Sequence, residues 1–274
     1  MAADIFFNPV TNRLSFAARA GEPVWWSNGQ HTVMAADATR EEWLNSTGLY
    51  TGVETAAVYM RLRDGTFKII EDRRATYNAD TQHPYEVVSK DWRGHQPSDL
   101  YDTAIQLRDS LNSIAGTDVR GADNVFSKIP KFELVTGGVL GKGERCWVGI
   151  APVNDAQIKV AGDLHKVALN LVTGHTGKQA TKLRLDIIRI VCKNTFEAAD
   201  RSSKGAFVIK HNREYSKAEM IQGFAHIVQS IESYQALGDA LLQAELSEAE
   251  IVAYFKKLTK IKAHEKEEDL NVDD

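Results

Sequence analysis

The residues best suited to bind a partner are cations gathered in the middle of the chain. Residues 178–217 hold ten bases against four acids, a local charge of +6 in a 274-residue chain whose total is −4. The last ten residues, EKEEDLNVDD, hold six acids and one base. A basic middle with an acidic end suits a polyanion held against a competing tail; the alternative is a pair of solvated faces. Within the basic stretch, Lys182-Leu183-Arg184-Leu185-Asp186-Ile187 alternates charged and apolar residues as a half-buried strand does. At Ile187-Ile188 the phase flips, as at a β-bulge, so that Lys182, Arg184, Asp186, Arg189, Val191 and Lys193 share one face. Four cations in such a row cover about 35 Å of sheet at roughly 3.3 Å per residue, a match to a phosphate backbone rather than a small metabolite. The predicted nucleic-acid-binding set is Lys178, Lys182, Arg184, Arg189, Lys193, Lys204, Lys210 and Arg213. Trp92, Trp147, Tyr85 and Phe207 lie in or near cation-rich segments, where aromatic rings can stack on unpaired bases.

Other chemistries find less support. Gly138-Val139-Leu140-Gly141-Lys142-Gly143 fails as a phosphate loop, because Thr136 stands where a glycine is needed and Gly143 where Ser or Thr should follow the lysine. It reads as a hairpin turn. The eight histidines are scattered without zinc-ligand spacing, so neither a metal nor a cofactor is predicted. Cys192 with His165 or His175 would make a nucleophile and base, but Cys192 falls on the apolar side of its strand, where cysteine acts as a small hydrophobe. No paired carboxylates stand out. The chain reads as a binding protein, with no predicted catalytic residue.

The elements that must position the cations follow from periodicity and turn chemistry. Residues 38–44 can form a short helix. Residues 53–60 and 66–70 flank Arg63-Asp64-Gly65, a hairpin signal, and 85–88 is a further strand. A helix follows Pro97-Ser98, with Ser98 as N-cap, an apolar stripe of Leu100, Ala104, Leu107, Leu111 and Ile114, and a stop at Gly116. Strands are predicted over 131–137, 144–151, 164–174 and 181–192, and Asn194 with Glu197 can cap a helix. Ser216 with Glu219 and Ser247 with Glu250 repeat the capping signal before narrow apolar seams, which serve internal packing or subunit contacts. The expected fold is α+β: an antiparallel sheet with a β-hairpin and a β-β-β-α core, followed by a helical C-terminal extension. Its divisions are a nucleic-acid-binding core over 1–215, C-terminal helices over 216–263 and an acidic disordered tail over 264–274.

Composition sets the outer bounds. Hydrophobic residues make up 43% and charged residues 26%, which excludes a wholly disordered, collagenous or coiled-coil chain. No run of 18 apolar residues predicts a membrane span, and MAADIFFNPVTNR lacks the basic start and apolar core of a signal peptide. Two cysteines, Cys146 and Cys192, allow at most one disulfide, so the expected location is a reducing cytoplasm.

Five segments occur in an order that resembles a known family. They are Val24-Trp25-Trp26-Ser27-Asn28-Gly29, Tyr85-Glu86-Val87-Val88, Gly143-Glu144-Arg145-Cys146-Trp147-Val148, Arg189-Ile190-Val191-Cys192-Lys193-Asn194-Thr195 and Phe207-Val208-Ile209-Lys210-His211. Together they look like the phage/plasmid-like family carried as a domain of unknown function, over about residues 20–235. The string at 189–195 is its most specific piece, while Trp26-Ser27 replaces the family's usual histidine-glycine. That family supplies no catalytic residues to carry over. The order of hairpin, further antiparallel strands and helix, with a basic strand surface, is also similar to the core of phage single-strand annealing proteins, the Red-beta, RecT and Erf superfamily. This likeness is one of fold. It implies a homo-oligomeric ring or filament in the bacterial host cell that holds single-stranded DNA in a basic groove and anneals complementary strands without ATP. The rival readings are an interaction protein that binds a host defence or replication factor, and an unrecognised hydrolase or nuclease.

Overall fold

The computed structural model describes residues 7–8, 13–21, 30–116, 130–153, 157–160, 163–177, 179–189 and 206–224, with single helical positions at 249 and 252. In chain order its elements are β1 (Phe7–Asn8), β2 (Arg13–Leu14), β3 (Phe16–Arg19), β4 (Thr32–Met34), α1 (Arg40–Thr47), β5 (Val53–Arg61), β6 (Phe67–Asn78), β7 (Pro84–Ser89) and α2 (Pro97–Ser113). There follow β8 (Phe132–Leu140), β9 (Arg145–Pro152), β10 (Gln157–Val160), β11 (Asp163–Gly174), β12 (Thr181–Arg189) and β13 (Phe207–Ile209). A third helix, α3, runs over 217–224. The fold is α+β with mostly antiparallel pairing.

The main sheet has eight strands in the order β13-β12-β11-β9-β8-β3-β4, with β10 also paired to β11. Among the described residues only β3 and β4 pair in parallel. Since β12 occupies one edge of β11 along its length, β9 and β10 succeed each other along the other. Inward residues of these strands, among them Cys146, Val148, Ile150, Leu169, Leu171 and Leu183, form one core with α2. The α2 stripe of Leu100, Ala104, Leu107 and Leu111 is buried there as its spacing predicts, while Ile114 lies exposed beyond the helix end. Burying side chains of this size contributes about 1.5–3 kcal/mol each. Ser216 caps α3 by accepting from the Glu219 amide (3.2 Å). Met220 and Phe224 on that helix join the same core, so the first part of the predicted apolar seam is spent on internal packing.

Three details differ from the sequence reading. The helix at 97 starts two residues earlier than a Ser98 cap implies, with Gln96 at the N-cap position and Pro97 in the first turn, where its missing N–H and fixed φ cost nothing. Gln96 instead clamps β5, its amide accepting from Val53 N and donating to Val53 O, both at 2.9 Å. The glycine-rich turn is shorter than 138–143: strands β8 and β9 pair through Gly138↔Trp147 to Leu140↔Arg145, which leaves 141–144 as the connection. Gly138 is a strand residue because the Trp147 ring and the Ser15 carbonyl fill the space a Cβ would take.

The third correction removes the predicted β-bulge. The pairing of β11 with β12 runs without a register shift from Val172↔Lys182 to His165↔Arg189. The alternation is therefore not reset at Ile187-Ile188, and Arg189 falls in phase with Leu183 rather than with Lys182 and Arg184. Val191 and Lys193 lie outside the described residues, as do both pairs Asn194–Glu197 and Ser247–Glu250.

A separate three-stranded sheet, β5-β6-β7, stands beside the main one. Its base is anchored: Thr76 Oγ1 donates to His175 O (2.9 Å), Gly177 N donates to Glu86 (2.9 Å), and Val53, Val88 and Trp92 form a small apolar cluster. No helix among the described residues is long and apolar enough to cross a membrane.

Candidate nucleic-acid interface

The predicted basic row does not survive as one solvated face. Arg184 is only 3% exposed, in register with the equally buried Asn170 of β11. A guanidinium inside the protein must be compensated there, so it cannot serve as an outward phosphate contact. The expectation of a solvated Arg184 is corrected accordingly. Lys178, Lys193 and Lys204 lie outside the described residues, and Arg189 is placed by its backbone register alone.

Three members of the set do come together. Lys182 of β12 pairs with Val208 of β13, and Lys210 follows Val208 in phase with it. The chain then turns through His211 to Arg213. The loop between β7 and α2 approaches the same corner, where Arg93 N donates to His211 O. It adds Arg93, which the sequence reading missed because it lies some ninety residues before the basic stretch. The corner thus holds four cations, with Arg93 on Glu214 (3.3 Å) and Arg213 on Glu219 (3.2 Å) as exposed ion pairs. Such pairs are weak, so these guanidinium groups can exchange their carboxylates for phosphates at little cost.

Beneath the corner lies a buried polar network that sequence spacing concealed. His95 donates from Nε2 to Arg213 O (3.0 Å), so its Nδ1 accepts from Thr181 Oγ1 (2.6 Å). His211 donates from Nδ1 to Arg93 O (2.8 Å), and its Nε2 faces Thr173 Oγ1 (3.4 Å). Thr173 and Thr181 are themselves 2.7 Å apart. With Thr181 donating to His95, the Thr173 hydroxyl donates to Thr181, and it is burial that disfavours a charge on either imidazole. His211 also stacks between the Trp92 and His95 rings, at 4.9 and 4.2 Å between centroids. The network ties the loop of residues 89–96 and the turn at 210–213 to β11 and β12, and so holds the cation-bearing backbone in place.

His175 lies next to this network, beside Cys146 (Nε2 to Sγ 3.6 Å) and stacked on Tyr85. Burial lowers the His175 pKa to about 3, with His211 and His95 adding to the shift, and burial first of all lowers that of His211 to about 4. Burial raises the Cys146 thiol, which is 1% exposed. Two neutral, enclosed groups do not make a nucleophile and base. The histidine considered at first with Cys192 therefore has a different cysteine as neighbour. Among the described residues no group of three or more His, Cys, Asp or Glu is disposed to hold a metal ion.

The four aromatic candidates are not free to stack on bases. Trp92 is buried against His211, Tyr85 against His175, Trp147 stacks on Phe16, and Phe207 packs on the core. Among the described residues the exposed aromatics are Tyr50, before β5, and Tyr59 and Phe67, on β5 and β6.

Residues 120–272 match the model of a family described as a domain of unknown function (DUF932), and the chain belongs to that family. The match covers α3 and strands β8 to β13, the part of the fold that carries most of the corner. No curated protein and no solved structure matches the chain.

Proposed function

We propose that this protein binds single-stranded DNA and anneals complementary strands without ATP, in phage or plasmid recombination within a bacterial cytoplasm. The observation that carries the reading is the convergence of Arg93, Lys182, Lys210 and Arg213 from three separate segments onto one corner. Cations set on a hydrogen-bonded scaffold hold phosphates without reading sequence, which suits a protein that must accept any strand. The role is to hold and pair strands, with no bond made or broken.

Gel shift with single-stranded oligonucleotides at low and moderate salt tests it. The protein should shift them, and log affinity should fall linearly with log salt. Each phosphate contact contributes about 0.7 to that slope, so Lys182→Ala with Lys210→Ala should flatten it by roughly 1.4. Failure to shift any single strand at low salt, or an unchanged slope in the double variant, would overturn the reading.

Annealing further calls for several copies, and the apolar residues that recur at helical spacing in the sequence past Phe224 are the ones the reading assigns to assembly. Light scattering should report a particle larger than one chain. A single-chain mass both with and without DNA would exclude the ring or filament.

A further inference from the structure

Among the described residues the outer half of the β5–β6 hairpin has no packing partner. Val53 is the only buried residue of β5, and in β6 only Thr76 and Asn78 are buried, all near the base. Beyond a register shift between Ala57 and Tyr59, the strands continue as a two-stranded arm, paired Tyr59↔Ile69, Met60↔Lys68 and Arg61↔Phe67. Two-stranded ribbons are marginal in water, so the arm needs a well-made turn. It has one. Leu62 and Thr66 close the end by a backbone bond of 2.8 Å, Gly65 takes φ 88°, and Asp64 accepts from both the amide and hydroxyl of Thr66 (2.9 and 2.7 Å). The αL position requires glycine, which is why the Asp-Gly signal is at this site.

Direct pairing places Tyr59, Ile69, Arg61 and Phe67 on one face of the arm, and Met60 with Lys68 on the other. Tyr59 is 58% and Phe67 69% exposed, which is unusual for large apolar side chains grouped on one small surface. Between Tyr59 and Ile69 the arm carries Arg61, Arg63 and Lys68 against the single acid Asp64, and none of the three cations is ion-paired among the described residues. Rings of this kind beside unpaired cations fit a ligand with both flat faces and negative charge. Unpaired nucleic-acid bases on their phosphate backbone are such a ligand, whereas a protein partner of ordinary composition would leave these charges uncompensated.

We propose that the β5–β6 arm is a single-strand-binding site, with Tyr59 and Phe67 stacking on bases and Arg61, Arg63 and Lys68 contacting phosphates. The proposal rests on the nucleic-acid reading above and names the part of the ligand that the cationic corner does not address. The corner holds the backbone; the arm selects strands whose bases are unpaired.

Fluorescence anisotropy with a labelled single strand, the matching duplex and a strand of abasic sites tests the arm. Tyr59→Ala with Phe67→Ala should weaken single-strand binding by tenfold or more, since each stacked base contributes about 1–3 kcal/mol. It should leave the salt slope and the affinity for the abasic strand unchanged. Arg61→Ala with Lys68→Ala should instead flatten the slope by roughly 1.4 on every strand. If the wild-type protein binds the single strand and the aromatic variant binds it equally well, the arm proposal is overturned while the corner stands. If the aromatic variant changes the particle mass in light scattering and not the affinity, the arm is a contact between copies, which also overturns it. If the wild-type protein binds no strand at all, the functional reading has failed with it.

Discussion

At pH 5.0 the protein is expected to be about 4 kcal/mol less stable than at pH 7.5, measured as the free energy of urea unfolding. His175 and His211 are held neutral by burial, with pKa values lowered to about 3 and about 4. In the unfolded chain each returns to the ordinary imidazole value near 6.5. Below that pH the unfolded state gains protons that the folded state refuses, so stability is fully present above about pH 6.5 and falls with acidification. Each histidine then contributes a loss of about 2 kcal/mol by pH 5, at 1.36 kcal/mol per pH unit. His95, lowered for the same reason, adds to the loss. A loss of this size is a large part of a typical total of about 5–15 kcal/mol. Equal unfolding free energies at the two pH values would show that these rings are solvated or already charged in the fold. The loop of residues 89–96 and the turn at 210–213 depend on this network, so acid should also dissolve the cationic corner.

Arg184→Ala should cost about 2–4 kcal/mol of stability, because it removes a buried charge and leaves the groups that compensate it unmatched. Lys182→Ala, two residues away on the same strand, should stay within about 0.5 kcal/mol of the parent. The contrast is the main practical consequence of the correction on β12. On the sequence reading both residues were phosphate contacts, and both changes would flatten the salt slope while sparing the fold. Thermal or urea unfolding of the two variants decides between these pictures. An Arg184→Ala protein with an unchanged midpoint and a flatter slope would restore Arg184 to the binding surface.

Most of the strand and helix content was legible in the chain. The hairpin around Asp64-Gly65, the α2 stripe, the third and fourth strands of the basic block and the Ser216 cap all rest on local rules: turn chemistry, periodicity and capping. These interactions close within a few residues, so the local sequence contains their causes. The bulge failed for a related reason. Two adjacent isoleucines imply a bulge only where one face of a strand is wet, and the burial of both Leu183 and Arg184 shows that β12 is covered on both faces at those two positions, while its register runs unbroken through 189.

The candidate sites divide in the same way. Sequence alone determined that this is an α+β chain with a basic middle and an Asp-Gly hairpin, because charge density and turn signals are properties of consecutive residues. Only the tertiary structure decided which cations face water. It buried Arg184, drew Arg93 toward the turn after Lys210, and gathered His95 and His211 from across more than a hundred residues into one network, with His175 beside it. It also left Tyr59 and Phe67 uncovered on an arm whose apolar runs read, in sequence, like ordinary buried strands. Whether an apolar or charged side chain is buried depends on what packs against it, and those neighbours come from distant parts of the chain.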